Sequence, residues 1–100
     1  MKQVTVVFEF PTATQKQYES VWDDLKASGN SHPKGLLVHV AARGKNGGLF
    51  VTDVWESEQA FKEFGNVLMP FIQKAGVGVV EPQILETYNV YEAKHVEELS

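Results

Sequence analysis

Apolar and polar residues alternate from Gln3 to Phe10. Val4, Val6, Phe8 and Phe10 share one face at a period of two, and Thr5, Val7 and Glu9 share the other. That spacing predicts a strand, which Pro11 ends. The period then changes. Tyr18, Val21, Trp22 and Leu25 recur at i, i+3, i+4 and i+7, the stripe of an amphipathic helix over residues 14–28. Thr14 or Thr12 can cap it, since each has a glutamine three residues later (Gln17, Gln15) at capping-box spacing, and Gly29 closes it. Asn30 to Gly35 reads as a loop.

Leu36 to Arg43 and Leu49 to Glu56 are two further strand-like runs, separated by Gly44-Lys45-Asn46-Gly47-Gly48. They predict a hairpin. Ser57 caps a second helix with Glu58 in its first turn, and Phe61, Phe64, Leu68, Phe71 and Ile72 form its apolar stripe. Gly65-Asn66 and Pro70 interrupt that stripe, which predicts a kink or two short helices. Lys74 and Gly76 end it. Residues 83–92 read as a fourth strand, and the last residues as a frayed polar tail.

The order β-α-β-β-α-β is the split βαβ pattern of ferredoxin-like α+β domains: one antiparallel four-stranded sheet with both helices on one face. Right-handed crossovers that each skip a strand give the strand order 4-1-3-2. Two helices cover one face only, yet several strands carry bulky apolar groups on both. Val4, Val6 and Phe8 oppose Val7; Leu36, Val38 and Val40 oppose Leu37; Ile84, Tyr88 and Val90 oppose Leu85 and Tyr91. Half-solvated strands alternate more cleanly. A second copy of the chain is the simplest cover for the open face, so a homodimer is expected. Size points the same way, because a 100-residue chain buries only about 65% of its unfolded surface on its own.

Composition narrows the function classes. Hydrophobic residues make up 43% and charged residues 22%, the range of a soluble globular domain. The nine basic residues are scattered, only Arg43 is an arginine, and the net charge is −4, so no nucleic-acid partner is expected. There is no cysteine, which removes disulfides, thiolate metal sites and thiol catalysis. No apolar run approaches the roughly 18–20 residues of a membrane helix. The N-terminal stretch lacks signal-peptide character, so the expected location is the cytoplasm. No nucleotide-binding glycine motif or nucleophile elbow occurs, and Ser57 is explained as a cap.

The candidate chemistry sits on the hairpin. His39 and Asp53 both fall mid-strand in apolar surroundings. Two registers are open. A three-residue loop Lys45-Asn46-Gly47, with Gly47 left-handed, pairs His39 with Asp53, Leu37 with Trp55 and Arg43 with Leu49. A two-residue Asn46-Gly47 turn pairs His39 with Val54 instead and sends Asp53 to the other face. In the first register Asp53 fixes the imidazole tautomer and raises its basicity, leaving the other nitrogen for a substrate proton. In the plainer interpretation the two satisfy each other inside the sheet. Trp55 and Phe64, with Trp22 and Tyr18, are candidates to line an aromatic ligand pocket, although helical spacing alone explains Tyr18, Val21 and Trp22 as core. Tyr88 is a candidate hydroxyl donor. His32, His39 and His95 lack metal-ligand spacing, so no metal is expected.

The run Leu37-Val38-His39-Val40-Ala41, the glycine-rich turn and Val51-Thr52-Asp53-Val54-Trp55-Glu56-Ser57, followed by Phe61 to Pro70 and Ala75-Gly76, resembles small proteins of the antibiotic-biosynthesis-monooxygenase-like branch of the dimeric α+β barrel superfamily. The resemblance covers residues 3–91. It implies that two sheets pack into a barrel with a ligand pocket between each sheet and its own helices. It also implies a cofactor-free monooxygenase-like protein acting on an aromatic or polyketide-like molecule, with His39 as base or hydrogen-bond partner. The alternative is a non-catalytic ligand-binding or interaction module of the same fold. The superfamily also includes haem-degrading enzymes, but residues 57–76 hold no histidine to serve as an axial ligand.

Overall fold

The computed structural model describes residues 2–92; the polar tail and His95 lie outside them. The elements follow the order β1 (Val4–Phe10), α1 (Gln15–Ala27), β2 (Leu36–Arg43), β3 (Leu49–Trp55), α2 (Glu58–Ala75) and β4 (Gln83–Glu86). All strand pairs are antiparallel, and the order β2-β3-β1-β4 is the expected 4-1-3-2 taken from the opposite edge.

Local chemistry accounts for the helix ends. At α1, Thr14 accepts from the Gln17 amide while its own amide donates to Gln17 Oε1, a complete capping box. The same Gln17 side chain donates from Nε2 to the Ala75 carbonyl at 3.2 Å, tying the start of α1 to the end of α2. Ser57 caps α2, and Gly76 closes it in the left-handed conformation.

The second helix is one element, not the two short helices that were one of the two expectations. It runs unbroken from Glu58 to Ala75 with Pro70 inside it. Proline removes one hydrogen bond, here to the Asn66 carbonyl, and crowds that same group. Both Asn66 and Pro70 are exposed, so water can take the freed carbonyl and the remaining ladder holds.

The fourth strand is also shorter than expected. It pairs Val4 with Glu86, and a last bond runs from the Thr87 amide to the Gln3 carbonyl. Because β1 begins at Val4, a strand in this register has no partner past Thr87. Tyr88, Val90 and Tyr91 therefore lie outside the sheet and carry no alternation between its faces.

The face toward the helices holds the core. Val6, Leu25 and Trp55 are its most deeply buried side chains, and Phe61 and Phe64 of α2 pack on Trp55. Burying each such side chain is worth about 1.5–3 kcal/mol. The opposite face has no cover: Val40, Phe50 and Leu85 are exposed on it, and it alternates with the core face along β3.

Candidate functional site

The β2–β3 hairpin sets the site. The Gly44 amide donates to the Gly48 carbonyl at 3.1 Å, and Gly47 has φ +92°, so the loop is the three-residue form. Gly48 has no alternative: it too is left-handed, and a Cβ there would lie 2.6 Å from the Phe10 carbonyl oxygen. This turn pairs Arg43 with Leu49 and His39 with Asp53. The third expected pair is displaced. A bulge between Leu36 and Val38 puts Leu36, not Leu37, opposite Trp55 and leaves Leu37 exposed. The extra residue restores the core face for Leu36 at the end where β2 meets the loop.

His39 Nδ1 lies 2.6 Å from Asp53 Oδ1. Asp53 is only 8% exposed, so an acceptor in that position calls for a donor, which the imidazole supplies. Contrary to expectation, the second ring nitrogen is not left open for a substrate proton. Nε2 lies 2.8 Å from the hydroxyl of Tyr18 on α1. Trp22, one turn further along α1, meets the imidazole edge-on with centroids 5.3 Å apart. Tyr18, His39 and Asp53 thus form one hydrogen-bonded chain from α1 across β2 to β3.

That chain borders a cavity between the sheet and the helices. The cavity leaves about 100 Å³ for the centres of water-sized molecules, several times the 10–15 Å³ or so that one water needs. Its other walls are apolar, with Phe8 and Val51 on the sheet side and Leu25 and Leu68 from the helices. Trp22, Trp55 and Phe64 line it as well. Trp55 Nε1 is buried and finds no hydrogen-bond partner among the described residues. A few polar groups in an apolar concavity is the usual composition of a small-molecule site.

Tyr88 is not part of this arrangement. It lies past the end of β4, fully exposed, and lines no part of the cavity. The tyrosine hydroxyl at the site belongs to Tyr18, a candidate for lining the pocket whose helical spacing also explains it as core. Among the described residues no cluster of three or more histidine, aspartate or glutamate side chains could hold a metal ion. None of the helices described is long and apolar enough to cross a membrane.

Burial raises the pKa of Tyr18 above its ordinary 10.0; the Asp53 charge adds to this, and the neighbouring Trp22 works against it. The sign for stability follows. Below pH 10 the hydroxyl is neutral in both folded and unfolded chains; above it the unfolded chain ionises first, so stability falls as pH rises. The difference in tyrosinate absorbance between wild type and Tyr18→Phe should show this tyrosine ionising above pH 10.0. A Tyr18 that ionised below it would contradict the buried hydrogen-bonded geometry.

A ferredoxin-like sheet with an apolar, partly aromatic cavity under its two helices is the general class. Among solved structures, the chain is similar to SnoaB of Streptomyces nogalater, a cofactor-independent oxygenase, at TM-score 0.66 and 19% identity over 90% of this chain and 97% of that one. A protein of Caulobacter crescentus CB15 provisionally described as an antibiotic biosynthesis monooxygenase aligns at TM-score 0.65 and 24% identity, covering 88% and 92%. One of Chloroflexus aurantiacus J-10-fl with the same description aligns at 0.64 and 16%, covering 90% and 97%. No family model matches the sequence, and no curated protein matches it. The chain has the fold of the antibiotic-biosynthesis-monooxygenase-like proteins.

Proposed function

We propose that the protein is a small homodimeric monooxygenase-like protein. It binds an aromatic or polyketide-like molecule between sheet and helices and acts on it without a metal or flavin. The observation that carries this reading is the Asp53–His39–Tyr18 chain, a titratable network on the wall of an otherwise apolar cavity. An aromatic hydroxyl compound that gives up a proton becomes an electron-rich anion, the form able to pass an electron to dioxygen. His39, oriented by Asp53, is the base that receives the proton. Trp22, Trp55 and Phe64 hold the ring system. The shared fold with a cofactor-independent oxygenase supports the same reading.

The second reading, a non-catalytic ligand-binding or interaction module, draws on the closure of His39 between two partners. His39→Gln separates them. Trp22 and Trp55 are the chain's two tryptophans and both line the cavity, so their fluorescence reports occupancy. With a panel of hydroxylated naphthalenes and quinones, His39→Gln should lose turnover or ligand response. Its melting temperature should stay near that of wild type, because the glutamine amide can still donate to Asp53. A His39→Gln variant that keeps the full wild-type ligand response would favour the module.

A further inference from the structure

Which atom meets the ligand is a separate question, and its answer here rests on the ligand-binding reading above. His39 has no ring nitrogen to offer: Nδ1 is taken by Asp53 at 2.6 Å and Nε2 by the Tyr18 hydroxyl at 2.8 Å. A neutral imidazole has one donor and one acceptor. With the Asp53 carboxylate accepting from Nδ1–H, Nε2 accepts from the Tyr18 O–H. The Tyr18 oxygen then keeps lone pairs for a further donor. Tyr18 lines the cavity and, with Trp22 and Glu19, also borders a groove outside it, so it stands between that groove and His39.

We propose that Tyr18 is the catalytic residue that takes the proton from an acidic aromatic hydroxyl, a phenol or enol, while His39 and Asp53 act through it as a relay. The ligand O–H proton passes to Tyr18 Oη as the proton of Tyr18 passes to His39 Nε2. The O–H bond of the ligand breaks with its electron pair left on the ligand oxygen. Tyr18 ends as it began, and the imidazolium stands between Tyr18 and the Asp53 carboxylate. Nothing is oxidised in this step. Burial and the nearby Asp53 charge favour the neutral Tyr18, so transfer through it fits the site better than a standing tyrosinate.

The test uses 4-nitrophenol, a single-ring hydroxyl compound whose anion is yellow, titrated onto the full-length protein. Wild type should bind it and ionise it in the site. Tyr18→Phe should still bind the ring but lower its ionisation constant by about tenfold or more, equivalent to one pKa unit of the dye. If His39 met the ligand directly, Tyr18→Phe would bare Nε2 and ionisation would persist or rise, which overturns the proposal. A wild type that binds the dye only in its neutral form also overturns it. A wild type that binds no dye overturns the ligand-binding reading and this proposal with it. Imidazole ¹⁵N spectra of wild type provide a readout that needs no variant. Dye binding should place a hydrogen on His39 Nε2, and an unprotonated Nε2 beside bound anion would count against the relay.

Discussion

Trp55→Ala should cost about 3–5 kcal/mol of folding stability, the range for removing a large buried aromatic. A domain of this size has only about 5–15 kcal/mol in total. Trp55 is 1% exposed, stands in the core cluster with Val4 and Val6, and meets Phe61 and Phe64 with ring centroids 5.9 and 5.6 Å away. It also borders the existing cavity, so its removal enlarges a void instead of leaving one that neighbours can refill. Trp55→Phe should behave differently. It keeps an aromatic ring against α2 and removes an indole N–H that is buried without a partner. Relief of such a donor is worth about 1–3 kcal/mol and offsets the lost volume. Urea denaturation of the two variants checks this: a Phe variant as unstable as the Ala variant would mean that the indole N–H is satisfied in solution.

Phe50→Glu should abolish the proposed dimer. Phe50, Val40 and Leu85 are 43%, 52% and 50% exposed in the single chain, and they share the sheet face that no helix covers. A twofold interface there should bury roughly 2,000 Å² or more, as permanent dimers do. A carboxylate buried there, beside Glu9 on β1, loses water without gaining a partner, at an effective cost of several kcal/mol per ion. Twofold symmetry doubles this, so dissociation should become easier by at least about a thousandfold. Sedimentation velocity at micromolar concentration should show a wild-type dimer and a variant that is monomeric or unfolded. A wild type that is a stable folded monomer would remove the argument.

Most of the fold was legible because its signals are local. Period-two and period-3.6 patterns placed the first three strands and both helices, and the Thr14–Gln17 box was readable from spacing. The hairpin register was nearly legible too: glycines at 44, 47 and 48 permit the three-residue loop, but they also permit the shorter one. Misjudged elements depend on neighbours. Pro70 does not break α2 because its freed carbonyl faces water, and β4 stops where β1 offers no further partner. Residue periodicity carries neither fact.

By itself, the sequence determined the element order, the alternation along β1 and β3 and the placement of His39 and Asp53 on adjacent strands. These follow from side-chain period and turn chemistry within a few residues. Only the tertiary structure decided that the Leu36–Val38 bulge turns Leu36 inward, that a cavity remains beneath the helices, and that Tyr18 closes the second nitrogen of His39 while Tyr88 stays outside. The physical reason is distance between layers. How far α1 stands from β2 is set by the side chains of both layers at once and by the Gln17 bond that ties α1 to α2. A tyrosine in a helical stripe is therefore core or reactive group according to what the opposite layer places beneath it.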